Sequence, residues 1–189
     1  HQDGTSHLVA ATIPNCKAYD PAFAGELAVI LDHGMREMLV DQQDVFYYIT
    51  MMNENYAQPS LPDGAYGDVV RGGYEFAKYT GVGRSIDDQN ASQEVTLLGS
   101  GAILLEVIKA AQQLAQMGIH VTVFSVTSWS ELAREGVACE KCELSGGTKR
   151  EIPFVTQQLT TSQGPIIATT DYVRSVPESI RAFVPSGRR

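Results

Sequence analysis

The chain has 189 residues, of which 43% are hydrophobic and 19% charged, and its formal net charge is -8. That length buries a sizeable core in one large domain or two small ones, while the acidic balance gives no electrostatic reason to seek nucleic acid or anionic lipid. No run approaches the roughly 20 apolar residues that span a bilayer, and three cysteines, an odd and low number, fit reduced thiols in a cytoplasm better than a disulfide scaffold.

In chain order, residues 1–20 read as loop, because His1-Gln2-Asp3-Gly4-Thr5-Ser6-His7 is polar and rich in turn formers. A start at His1 without Met, and an end at Pro185-Ser186-Gly187-Arg188-Arg189, are expected of a piece of a longer protein. Asp20 as cap and Pro21 in the first turn predict a helix. Ala24, Leu27, Ala28, Leu31, Met35, Met38 and Leu39 carry it to about residue 39 at helical spacing. The β-branched and aromatic run over 45–50 predicts a buried strand. Two prolines and an Asp-Gly pair make 53–66 an exposed linker, so the domain boundary is placed there.

Beyond the linker, a short helical turn is expected over 68–73, an edge strand over 74–80 and a polar loop over 81–93. An alternation follows: strand 95–98, helix 102–117, strand 121–126 and a short helix over 128–135, begun by Ser128 with Glu131 as a capping box. Loop is expected over 140–147, then helix 153–159, strand 165–169 and a last helix over 176–183. Strands that are nearly all apolar, alternating with helices, predict an α/β fold with a mainly parallel sheet covered by helices on both faces.

Four motifs carry chemistry. Gly99-Ser100-Gly101 lies between a strand and a helix, where backbone N–H groups can cradle a phosphate. The dinucleotide fingerprint also wants a glycine at position 104, which is Leu104, and an acidic residue about 20 positions on, which is absent; a tight strand-to-helix turn is the plainer reading. Cys139 and Cys142 have the spacing of a zinc or redox pair but no second ligand pair. His33, in mid-helix, and His120, at a strand start, suggest packing. Asn53-Glu54-Asn55-Tyr56 ends a strand, where ligands often bind, but it also opens the linker. His1 to His7 is the most loaded stretch: two imidazoles flank an acid and two hydroxyls, and histidine moves protons near neutral pH. A polar surface loop is its competing reading.

Read together, His1-Gln2-Asp3-Gly4, Thr12-Ile13-Pro14-Asn15, Tyr19-Asp20-Pro21-Ala22-Phe23-Ala24, Asn53-Glu54-Asn55-Tyr56, Leu97-Leu98-Gly99-Ser100-Gly101, Ser125-Val126-Thr127-Ser128 and Thr170-Asp171-Tyr172 resemble the homodimeric bacterial pyruvate dehydrogenase E1 components, in order along essentially the whole chain. The resemblance implies a transketolase-like enzyme that decarboxylates pyruvate on thiamine diphosphate with Mg²⁺ and passes the acetyl group to the lipoyl group of the E2 acetyltransferase. It implies that residues 1–52 end a pyrimidine-binding domain and that 67–189 form an incomplete transketolase C-terminal-like domain. His1 matches the family's catalytic histidine, and His7 is its expected support. The family's Gly-Asp-Gly metal motif is not matched, since neither Asp3-Gly4 nor Asp63-Gly64 follows a glycine. No cofactor-binding or metal residue is therefore expected in this chain, which by itself is expected to be inactive. A non-catalytic dimerisation or docking module and a nucleotide-binding domain remain the alternatives. Two departures from the family are the long loop over 81–93 and Cys142, where an aromatic residue is expected.

Overall fold

The computed structural model of the chain describes residues 3–84, 93–145, 151–161 and 163–185. It holds two sheets. In the first, β1 (Cys16–Tyr19) and β2 (Phe46–Ile49) pair in parallel, from Cys16 opposite Phe46 to Tyr19 opposite Ile49. Their crossover is α2 (Ala24–Met35), extended by one wider turn over Arg36–Val40. The second sheet has the order β3 (Gly73–Tyr79), β5 (His120–Val126), β4 (Glu94–Gly99) and β6 (Ile166–Thr169). β4, β5 and β6 run parallel, and β3 is the antiparallel edge.

Burial explains this arrangement. Five of the six residues of β4 and six of the seven of β5 are buried, as a sheet covered on both faces requires. On one face, α4 (Ile103–Gln116) lays Leu104, Val107 and Ala111 against Val95, Leu97, Val121 and Val123. On the other, Leu98, Phe124 and Val126 meet α5 (Trp129–Leu144), α6 (Phe154–Leu159) and the 3-10 turn Arg181–Phe183 through Trp129, Leu132, Phe154, Leu159, Ile180 and Phe183. The α/β class, the mainly parallel sheet and the edge position of β3 agree with the sequence reading.

Several elements differ from expectation. Residues 1–20 are not all loop: α1 (Ser6–Ala11) and β1 lie within them. Asp3 Oδ1 accepts from the Thr5 and Ser6 amides, so residues read as turn formers instead start a helix. Asp20 does not cap α2; Phe23 holds that position, and the carboxylate of Glu26 takes the Ala22 and Phe23 amides. β2 is only partly buried, with Phe46 exposed. α3 spans Tyr66–Arg71. α5 runs on to Leu144 through the expected loop over 140–147, because the exposed residues after Cys139 are the solvent face of a helix. The last helix is broken into α7 (Ser175–Glu178) and the 3-10 turn. Between them the Ser179 hydroxyl bonds back to the Val176 carbonyl, a local bond that competes with a continuing helix.

Ser128 does open α5. Its hydroxyl accepts from the Glu131 amide at 3.1 Å and donates to the Ala18 carbonyl of β1 at 2.6 Å. Ser128→Ala is expected to lower stability by about 1–2 kcal/mol through the lost cap and the loss of the shorter of two hydroxyl bonds to the buried Ala18 carbonyl, Ser130 keeping the other, read as a shift in the denaturant midpoint at unchanged slope.

Candidate functional site

The ends of the parallel strands converge. The Asp20 amide, just after β1, donates to the Thr127 carbonyl just after β5 at 2.8 Å, and the Asp20 carbonyl accepts from the Gly101 amide just after β4 at 2.9 Å. These bonds place the Asp20 side chain between the carboxyl ends of both sheets. β4 leads through α4 to β5 on one side, whereas β6 joins on the other, so the gap beyond β4 and β6 is a point where the connections reverse. Ligand sites in open α/β sheets form at such points.

Asp20 is 5% exposed. Its Oδ1 accepts from the Thr50 hydroxyl at 2.7 Å and its Oδ2 from the Ser100 hydroxyl at 2.8 Å. Ser100 in turn lies 3.1 Å from the Thr170 hydroxyl, just after β6. Among the described residues no lysine or arginine pairs with this carboxylate. Burial pushes its carboxyl above the ordinary range, against the pull of Thr50, Ser100 and His7, with Asp171 adding to the rise. Gly101 makes the arrangement possible. Its φ is +54°, and a Cβ there would lie 2.7 and 2.8 Å from the two Asp20 carboxylate oxygens.

His7 comes to the same cluster from α1. It is buried, and its Nε2 lies 3.0 Å from the Thr50 hydroxyl oxygen. The ring packs edge-on against Tyr48 at 5.5 Å and Tyr172 at 4.5 Å. Burial holds the imidazole below its ordinary pKa, while Asp20 and Asp3 draw it back up. Tyr172 is pushed up to about 12, chiefly by burial. His7 also lines a cavity of about 380 Å³ with Leu8, Trp129, Ala133, Arg134 and Val176. The site thus offers an imidazole and a carboxyl that burial moves toward their neutral forms, joined by one hydroxyl.

Of the two residues expected to carry chemistry, His7 lies in this cluster and His1 lies outside the described residues. The Gly99-Ser100-Gly101 turn spends its groups locally. Its Gly101 amide is bonded to Asp20, and a Cβ on Gly99 would meet Leu104 and Val107 at 3.0 Å, so Gly99 serves close packing of α4 on β4 and Gly101 the close approach of Asp20. Cys139 and Cys142 lie on α5 rather than in a loop; Cys139 is buried, Cys142 exposed, and both are free thiols. His33 is half-buried beside Glu37 and Tyr66. His120 meets the Gly81 amide through Nδ1. Asn53, Glu54 and Asn55 are exposed, and only Tyr56 is anchored, its hydroxyl donating to the Ala22 carbonyl. Residues 85–92 of the expected loop over 81–93 lie outside the described residues.

The sequence reading does not join Asp20, Thr50, Ser100 and Thr170 in one site: it makes Asp20 a helix cap, places Ser100 in a glycine turn and gives Thr50 no role. Each immediately follows a parallel strand, and a polar residue directly after an apolar run was the signal that would have drawn them together.

Residues 1–59 match the family described as pyruvate dehydrogenase E1 component middle domain, and residues 83–186 the transketolase-like TK C-terminal domain. Proteins named pyruvate dehydrogenase E1 component are 47% identical to the chain in Pseudomonas aeruginosa, 46% in Cupriavidus necator and 40% in Escherichia coli. In each case the similarity covers 98% of this chain and 20% of the relative, so the chain spans a fifth of their length. Among solved structures, a transketolase from Pichia stipitis superposes with a TM-score of 0.57 at 14% identity, over 97% of this chain and 25% of that one. This last likeness concerns the fold alone.

Proposed function

Because the chain belongs to the transketolase-like TK C-terminal domain family, we propose that it works as part of a pyruvate dehydrogenase E1 component, which decarboxylates pyruvate and transfers the acetyl group to lipoyl-E2. The observation that carries this reading is the 40–47% identity to E1 components along 98% of the chain. The cluster at the carboxyl ends of the strands supports it, since it joins a buried imidazole and a buried carboxyl through one hydroxyl. In this reading residues 1–52 close the pyrimidine-binding domain, 53–66 are the linker and 67–189 belong to the C-terminal domain. The whole protein is a cytoplasmic homodimer, and no helix of the described residues is long and apolar enough to cross a membrane.

Thiamine diphosphate and Mg²⁺ belong to the full-length protein in this reading. The residues described here do not fit them. Among the described residues no three His, Cys, Asp or Glu side chains converge as metal ligands. The two buried carboxylates among the described residues, Asp20 and Glu26, are already taken up by hydroxyl and amide donors. The chain's own contribution is His1, which donates a hydrogen bond to a pyruvate-derived oxygen and carries a proton, with His7 in support.

The test uses the full-length protein, with pyruvate decarboxylation followed by an artificial electron acceptor and thiamine diphosphate binding measured by calorimetry in Mg²⁺. His1→Ala is expected to lower turnover by about a hundredfold or more and to leave cofactor affinity within a few fold. Absence of pyruvate decarboxylation by the unaltered protein would overturn the E1 reading. Unchanged turnover in His1→Ala would overturn only the role of His1.

A further inference from the structure

We propose that Asp20 is the terminus of a proton relay that starts at the His7 imidazole and passes through the Thr50 hydroxyl. A proton taken up at His7 Nδ1 is matched by movement of the Nε2 proton through Thr50 onto the Asp20 carboxylate. The relay deepens the E1 reading, and it rests on that reading for the identity of the group that supplies or takes the proton.

Hydrogen-bond direction carries the argument. The Thr50 hydroxyl has one proton and four polar neighbours: Asp20 Oδ1 at 2.7 Å, the Tyr19 carbonyl at 3.3 Å, His7 Nε2 at 3.0 Å and the Tyr172 phenol, which can donate to it. The carboxylate oxygen is the strongest and nearest acceptor, so Thr50 donates to it. Its lone pair then accepts from His7, which fixes the proton of neutral His7 on Nε2. Among the described residues nothing hydrogen-bonds His7 Nδ1, so this nitrogen is the one left to receive a proton.

Protonation at Nδ1 would place an imidazolium at a position 5% exposed, next to a carboxylate also 5% exposed. Burial penalises both charges. One concerted shift removes both. The Nε2–H bond of His7 and the O–H bond of Thr50 break, and new O–H bonds form on Thr50 and on Asp20 Oδ1. His7 is left neutral with its proton on Nδ1, the Thr50 hydroxyl points the other way, and Asp20 is a neutral carboxylic acid. One proton has entered and no bond to carbon has changed. Ser100 keeps its bond to Oδ2 throughout.

The charged and titratable groups facing the pair are few. Asp3, ahead of α1, faces His7; Asp171, after β6, faces Asp20; and the phenols of Tyr48 on β2 and Tyr172 before α7 flank the imidazole. The directions in which burial moves the two groups, His7 down and Asp20 up, agree with a pair that exchanges a proton without separating charge.

The experiment compares Thr50→Val, Thr50→Ser and Asp20→Asn in the full-length holoenzyme by two readouts. The first is difference infrared spectroscopy of protonated carboxyls on lowering the pH. The unaltered protein is expected to show a band that Asp20→Asn removes, that Thr50→Val displaces along the pH axis and that Thr50→Ser leaves in place. The second is the pH–rate profile of decarboxylation. Thr50→Val is expected to lower turnover by about tenfold and to move the acid limb, and Thr50→Ser to restore both. A carboxyl band indifferent to Thr50→Val, or equal profiles for Thr50→Val and Thr50→Ser, would overturn the relay. If Thr50→Val does not fold, a band that survives Asp20→Asn overturns it, and loss of the band in Asp20→Asn with its retention in Thr50→Ser upholds it. A full-length protein that does not decarboxylate pyruvate defeats the E1 reading, while the infrared band still decides the relay.

Discussion

Glu26→Ala is expected to destabilise the fold by about 3–5 kcal/mol, enough to consume much of the stability of an ordinary domain. Glu26 is 0% exposed. Its Oε2 accepts from the amides of Ala22 at 2.6 Å and Phe23 at 3.0 Å. Its Oε1 accepts from the Tyr74 hydroxyl of β3 at 2.9 Å and the Ser125 hydroxyl of β5 at 2.5 Å. One carboxylate therefore fastens the start of α2, which crosses over the first sheet, to two strands of the second. Alanine takes the acceptor from four buried donors of three elements, of which only the Tyr74 and Ser125 hydroxyls can still pair with each other, and opens a cavity beside them. A single unpaired buried donor costs about 1–3 kcal/mol, and the four losses share one site, so they add to less than their sum. Glu26→Gln separates the causes. It keeps the volume and can leave its carbonyl oxygen on the Ala22 and Phe23 amides, but its NH₂ then donates to the Tyr74 and Ser125 hydroxyl oxygens, whose protons lose their acceptor, so a loss of about half the alanine value is expected. Chemical denaturation of all three proteins checks this. An alanine loss under about 1 kcal/mol would mean that water replaces the carboxylate without strain.

The sequence was legible where local pattern and tertiary role agree. β4, α4 and β5 are recognisable because buried strands must be continuously apolar, and because α4 buries one stripe, Leu104, Val107, Ala111 and Ala115. It was illegible where a short element depends on distant partners. β1 has four residues, too few for any periodicity, and it is a strand because β2 and the end of β5 receive it. Asp20 shows the same limit at the site. An aspartate before a proline looks like a helix cap, and only the fold reveals that Thr50, Ser100 and Thr170, separated by up to 150 positions, close around it. The His1–His7 stretch stood out because its side chains are adjacent in sequence. The carboxyl that His7 addresses through Thr50 did not, because that contact spans three elements.

Gly101→Ala is expected to cost about 2–4 kcal/mol, and a double-mutant cycle with Asp20→Ala should show why. Two penalties combine at this position. Its φ of +54° disfavours any side chain with a Cβ by roughly 1–2 kcal/mol. The added methyl would also sit 2.7 and 2.8 Å from the two carboxylate oxygens of Asp20, well inside contact distance. The carboxylate cannot yield freely, because turning away from Gly101 breaks its bonds to Thr50 and Ser100 and leaves a poorly satisfied group at a site 5% exposed. In the Asp20→Ala background the second penalty has no object, so Gly101→Ala should then cost only the conformational strain. The coupling between the two positions is therefore expected at about 1–2 kcal/mol, the size found for residues in direct contact. Strict additivity would mean that the turn after β4 shifts to relieve the clash. In that case the glycine answers to backbone conformation alone, and the Asp20 cluster tolerates movement of the chain segment that helps enclose it.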